Sequence, residues 1–189
     1  MRRTWALLLT FVIAATAVWA DSYSDTVDIF KKAGASSWYF TNSYGYAVFP
    51  AIGKGGLIVG GAHGNGRVFQ NGQYVGDTSM TQLSVGLQIG GQEYRQIIFF
   101  EDKRAFDDFT SGNFQFDAGV SAVALKASAS GEAGTTGTST ATSASTGEAT
   151  TQGGGYYRGL AVFTIIKGGA MAEAAVAGQK FTYTPHPQS

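Results

Sequence analysis

Residues Ala127 to Gly155 read "ASASGEAGTTGTSTATSASTGEATTQGGG", and 26 of these 29 residues are Ala, Gly, Ser or Thr. The stretch has no aromatic and no large aliphatic residue, so it cannot bury enough apolar surface to offset the entropy of ordering it. It reads as a disordered insertion. The segment that follows, "YYRGLAVFTIIKGGAMAEAAVAGQKFTYTP", is too short for a core of its own. It must return to the core begun before the insertion, so the chain reads as one interrupted domain.

That core reads as β-structure. In "TQLSVGLQIGGQ", Leu83, Val85, Leu87 and Ile89 alternate with Gln82, Ser84, Gly86 and Gln88, the period of a half-buried strand. "YRQIIFFE" and "RGLAVFTII" are apolar on both faces, as fully buried strands are. "FQFDAGVSAVAL" alternates again, with Phe114, Phe116, Ala118 and Val120 on one side, and "QKFTYTP" places Phe181 and Tyr183 together. A helix is expected from about Ser22 to Ala35, where Tyr23, Val27, Phe30 and Ala33 recur every three or four residues. A second helix is "DKRAFDDF", with Asp102 as N-cap and Phe106 and Phe109 one turn apart. "AMAEAAVA" has helical propensity, but closely bracketing glycines favour a strand. The expected class is mainly β (α+β): an antiparallel β-barrel or sandwich with an N-terminal helix, one short internal helix and the insertion.

The glycine-rich "GKGGLIVGGAHGNGRVF", Gly53 to Phe69, raises the question of a phosphate loop. Such a loop needs a helix N-terminus after its strand. Here "RVFQNGQYVG" follows, a strand, an Asn-Gly turn and another strand, so the nucleotide reading fails. Asn65-Gly66 and Asn71-Gly72 read instead as type I′ hairpin turns.

The first twenty residues, "MRRTWALLLTFVIAATAVWA", combine a basic start, an apolar run and small residues before Asp21. This is the pattern of a secretory signal peptide cleaved after Ala20, and it implies export to the periplasm. The domain then spans residues 21–185, interrupted by 127–155, with 186–189 as a tail. Residues 21–189 carry 11 Lys+Arg against 13 Asp+Glu, two of the 13 basic residues being in the leader. That balance argues against nucleic acid as a partner.

Catalytic and metal signatures are absent from the sequence. His63, placed at a turn, and His186, in the tail, are the only histidines, and there is no Cys. Asp107 and Asp108 are adjacent on one helix and cannot face each other. Glu101 to Arg104 read as a solvated helix start, and Asp117 as solvent-facing. No enzyme, metal site or cofactor is expected.

"GYAVFPAIGKGGLIVGGAHGNGRVF", then "SVGLQIGGQEYRQIIFF", then "GLAVFTIIKGGAMAEAAVAGQKFTY" resemble the SYLF domain family in order and spacing. This is the lipid-binding domain of eukaryotic endocytic adaptors, some of which also bind actin filaments, and the chain is most similar to its exported bacterial members. The resemblance implies a compact, mainly antiparallel β domain with N-terminal helical structure and no enzymatic activity. It also implies membrane lipid as a partner, through a basic amphipathic segment before the glycine-rich core. The matching stretch, "DSYSDTVDIFKKAGASSWYF", has only Lys31 and Lys32 as cations, opposed by Asp21, Asp25 and Asp28. The resemblance therefore carries lipid binding as a class and not a headgroup. The residues expected at the lipid interface are Phe30, Lys31, Lys32, Trp38, Tyr39 and Phe40, aromatics whose apolar rings and polar tips suit that boundary. Two other readings compete. One is a small outer-membrane β-barrel, suited by the signal peptide and the alternation. The other is a structural envelope protein held by protein contacts.

Overall fold

The computed structural model describes residues 11–55, 59–85, 92–117, 119–120, 122–127, 133–134, 155–167, 176 and 178–187. In chain order, helix α1 (Phe11–Lys32) is followed by two single-turn helices, α2 (Gly34–Ser37) and α3 (Tyr39–Asn42). Strands β1 (Gly45–Gly55), β2 (Val59–Gln70), β3 (Gln73–Val85) and β4 (Gln92–Phe100) are antiparallel, with β4 returning beside β1, so they lie in the Greek-key order β3-β2-β1-β4. Helix α4 (Lys103–Thr110), β5 (Phe114–Gln115), β6 (Ala122–Ala127), β7 (Ala133–Gly134), β8 (Leu160–Lys167) and β9 (Lys180–Pro185) complete the fold. The nine described strands join one sheet in the order β5-β9-β3-β2-β1-β4-β8-β6-β7. It curls into a half-barrel. One pair, β6 with β8, is parallel, so the sheet is mixed.

The protein is mainly β, and the sheet is apolar on both sides where the sequence is. Along β4, Tyr94, Ile98 and Phe100 face the inside of the curl, while Ile97 and Phe99 face outward. Inside, they meet Phe49, Ile52, Met80, Phe116 and Phe181, with Phe106 and Phe109 of α4 closing the end. Outside, Ile97, Phe99, Phe163 and Ile165 pack under Tyr23, Val27, Phe30 and Ala33 of the α1 segment. Pro50 sits in the central strand β1, where a proline removes a ladder hydrogen bond. The register of β1 shifts there against both neighbours, between Val48 and Ala51 on one side and Phe49 and Ile52 on the other. A bulge of this kind bends its strand, which accords with the curl.

The short helix is placed as its sequence indicates, with the Asp102 carboxylate accepting from the Ala105 N–H at 2.8 Å. The hairpin at Asn71-Gly72 has φ of 50° and 79° at its two central residues, as a type I′ turn requires. Several other expectations are corrected. Asn65-Gly66 is not a turn but the middle of β2, opposite Ser79 and Thr78. Gly66 serves packing: a Cβ there would lie 2.6 Å from the Phe49 ring. His63 likewise lies within β2, opposite Thr81.

The phase of β3 is also the reverse of the apolar reading. Gln82 is buried and Leu83 is 85% exposed, because Thr78 and Met80 take the inward positions and the period of two carries Gln82 with them. "FQFDAGVSAVAL" is two strands broken by a turn in which the Val120 N–H donates to the Asp117 carbonyl. Asp117 is exposed and paired with Arg158. Within the low-complexity insertion, Ala133–Gly134 add a two-residue strand against Lys126–Ala127. Of "AMAEAAVA", only Val176 is described, buried and outside any strand; the rest of that expectation lies outside the described residues.

Candidate functional site

The segment expected at a lipid surface begins at the end of α1. The helix stops at Lys32, and Ala33 is extended with φ −75° and ψ 116°. The chain turns through α2 and α3 into β1. Such a break frees the last carbonyls of α1, and a buried side chain takes one of them. The Ser36 hydroxyl donates to the Phe30 carbonyl at 2.6 Å, and the Ser36 and Ser37 N–H groups donate to the Ala33 carbonyl at 3.1 and 3.0 Å. The next turn is tied in the same way. The Asn42 Nδ2 and the Thr41 hydroxyl donate to the Trp38 carbonyl at 2.8 and 3.1 Å.

These locks separate the six expected residues into two sets. Phe30 is fully buried and Tyr39 nearly so. Their expected place at an interface is therefore corrected: both are core, because α1 and α3 press them onto the outer sheet face. Tyr39 stacks on Phe99 at 5.2 Å and meets Phe163 edge-on at 5.1 Å. Burial, and secondarily Tyr156, raises the pKa of its phenol. Phe40 is half-buried, with its ring 4.9 Å from Phe99 and 5.2 Å from Tyr46.

The other set is turned outward. Lys31 and Lys32 are exposed in the last turn of α1, and Trp38 is 56% exposed. The Lys31 Nζ sits 5.7 Å above the Phe40 ring, a cation–π contact that holds the charge beside an aromatic edge. The Trp38 indole leans edge-on against Tyr39 at 5.2 Å. Phe99 is thus a shared floor under Tyr39 and Phe40, whose neighbours Trp38 and Lys31 face solvent. This segment exposes one amphipathic indole and, in the last turn of α1, two ammonium groups, with Asp25 and Asp28 exposed earlier on the helix.

Two features of the way α1 and the turns after it meet the sheet have no sequence signature. Ser36 is one serine among many, and only its burial marks it. The other is a clamp at the opposite end of α1's contact with the sheet. There the Arg67 guanidinium lies 4.4 Å from the Tyr23 ring centre and 5.2 Å from that of Tyr74, with Asp77 at 3.9 Å. His186 is exposed, yet its ring lies 4.8 Å from Tyr74 and its backbone N–H donates to the Val75 carbonyl.

Comparison with known proteins gives two similarities. The family described as Ysc84, Las17-binding protein actin regulator, matches residues 81–184. "Beta cell expansion factor A" of Aeromonas veronii is 30% identical over 157 residues, which is 82% of this chain and 51% of that protein. The chain thus spans about half the length of the curated relative it matches.

Proposed function

Because the chain belongs to the Ysc84 family, whose domain is the SYLF domain, we propose that it is an exported lipid-binding module acting at an envelope membrane. The family is one of non-enzymatic, adaptor-type domains linked to actin and lipid. The proposed leader ends at Ala20, so the working chain starts at Asp21 in the periplasm, where the lipid and not the actin side of that link has a surface to act on. The observation that carries the reading is Trp38, 56% exposed in the turns that follow α1, whose last turn carries the exposed Lys31 and Lys32. The indole enters the headgroup boundary with its N–H still wet, and the two lysines approach anionic lipid.

The outer-membrane barrel finds less support. A membrane barrel turns its outer apolar band to lipid and has no free edge. Here α1 covers the outer face of β1, β4 and β8, and β5 and β7 lie at opposite ends of the sheet order.

Trp38 is the only tryptophan after Ala20, which makes the test direct. Emission from residues 21–189 should shift to the blue on adding phosphatidylcholine vesicles, and somewhat more with phosphatidylglycerol present. Trp38→Ala with Phe40→Ala should weaken co-sedimentation at physiological salt more than Lys31→Ala with Lys32→Ala. Each lysine contributes about 1 kcal/mol at an anionic surface and is screened by salt, while apolar burial persists. Emission and sedimentation unchanged by every vesicle would reject the proposal.

A further inference from the structure

Beside α1, the outer face of β2, β3 and β9 carries an open groove of about 280 Å³. The strand registers lay out its floor as two rows. Asn65, Ser79 and Thr182 stand side by side in one row, and Arg67, Asp77 and Thr184 in the next. Neighbours within a row are about 4.8 Å apart, and the rows are about 7 Å apart. Gly66 lies between the rows on β2 and lines the groove with backbone alone, while Tyr23 of α1 forms its wall. These groups are held in place before any ligand arrives. The Ser79 and Thr182 hydroxyls share a hydrogen bond of 2.7 Å. The Arg67 guanidinium rests on the Tyr23 ring and lies 3.9 Å from Asp77, and the Tyr74 hydroxyl donates to the Asp77 carboxylate. Polar groups fixed in this way lose little freedom on binding. Each keeps capacity to spare: the exposed Asn65 amide carries two donors and an acceptor, the Asp77 carboxylate further lone pairs, and the Thr184 hydroxyl a donor and an acceptor.

The chemistry of the lining selects an occupant. An ion of either sign is opposed by one member of the Arg67–Asp77 pair. An apolar ligand would strip water from Asn65, Asp77, Ser79, Thr182 and Thr184 and return no hydrogen bond. A protein partner would draw its energy from a desolvated anchor at the centre of the contact, and the centre here holds two hydroxyls. The matching ligand is neutral and both donates and accepts at many points, which describes a sugar. We propose that the groove is a binding site for a neutral glycan. A sugar ring lies over the Ser79–Thr182 pair, shares its hydroxyls with Asn65, Asp77 and Thr184, and sets one edge against Tyr23. The site is separate from the Trp38 segment and does not rest on the lipid reading.

The test is a titration of the isotope-labelled protein with maltotriose, cellotriose and N-acetylated chitotriose, followed by amide NMR. With at least one of these sugars, saturable shifts should gather at residues 65–67, 77–79 and 182–184. Asn65→Ala and Thr184→Ala should each weaken that binding several-fold. Thr81→Ala, one row beyond the groove on the same outer face, should leave it unchanged. All three side chains are exposed, and circular dichroism checks the fold of each variant. No saturable shift with any of the three sugars, shifts centred elsewhere, or an equal loss for Thr81→Ala would overturn the proposal. The same shifts from inorganic phosphate at equal concentration would also overturn it, since they would mark an anion site. Sugar binding by a protein whose Trp38 ignores every vesicle would uphold this site and reject the lipid reading alone.

Discussion

The outer face of the sheet has two halves built on one plan. Over β1, β4 and β8, Val48, Ile97, Phe99, Ala161, Phe163 and Ile165 are buried beneath α1. Over β2, β3 and β9, the same outward positions hold Asn65, Asp77, Ser79, Thr81, Thr182 and Thr184, and an open groove lined by Tyr23 and five of these six, Thr81 excepted, marks where the helix leaves off. The inner face carries buried apolar residues in both halves, with Thr78, Gln82 and Gln96 as buried polar positions among them. The difference shows that a strand apolar on two faces announces a cover, whereas an alternating strand announces water. The Arg67 side chain, between Tyr23 and Tyr74, stands on the border.

This contrast can be broken most severely from the covered side. Phe163→Ala should cost about 3–5 kcal/mol by loss of transfer energy and cavity formation, read as a lower urea midpoint. On the open side, Ser79→Ala should stay within about 0.5 kcal/mol, as surface changes do, even though its hydroxyl meets that of Thr182 at 2.7 Å. A comparable cost on the two sides would undo the distinction. Gly66→Ala tests the inner face of the open half. Its Cβ would press on Phe49, and overpacking of this kind costs about 1–3 kcal/mol.

The border titrates. Burial first, and a hydrogen bond to Asp77 second, push the Tyr74 phenol from 10.0 up to about 12. Between those values the unfolded chain has lost the proton that the folded chain keeps, so stability falls as pH rises through that window and is complete below it. Tyr94, raised by burial against the opposing hydrogen bond from Gln179, adds a loss of the same sign. Tyr74→Phe should flatten part of the alkaline decline in melting temperature. The insertion, too, should have only a small effect. Replacing Ser128–Gly153 by a Gly/Ser linker of about 12 residues should move the melting temperature by only a few degrees, because closure cost changes by about 0.6 kcal/mol per doubling of length.

Much of this architecture was legible because it rests on periodicity. The spacing of Tyr23, Val27, Phe30 and Ala33 marks the buried stripe of α1, and Asp102 marks the start of α4. The two-faced apolarity of "QIIFF" and "LAVFTII" identifies the strands beneath the helix. Where no periodicity exists, the sequence leaves the answer open. A four-residue helix has no stripe, so "WYF" could not show that Trp38 faces out while Tyr39 faces in. A dipeptide such as Asn65-Gly66 has the composition of a turn whether its glycine answers a backbone angle or a neighbouring ring. The phase of β3 depends on Thr78 and Met80 reaching the core, not on the apolar residues at its far end.

The parallel pairing of β6 with β8 has a consequence for how the chain can vary. Two parallel neighbours point the same way, so the chain leaving β6 beside Lys167 must travel back along the sheet before it enters β8 at Leu160. That return is on the order of 23 Å, about seven residues even when fully stretched, before any bend is made at either end. The connection from β6 to β8 therefore has a minimum length, whatever its spelling outside Ala133–Gly134, which pair with β6. Above that minimum, residues can be exchanged, added or removed with little thermodynamic trace. Below it β6 must come off its neighbour, taking Val123 and Leu125 with it. Successively shorter linkers should leave stability flat and then drop it abruptly, a step whose position measures the strand that has to be retraced.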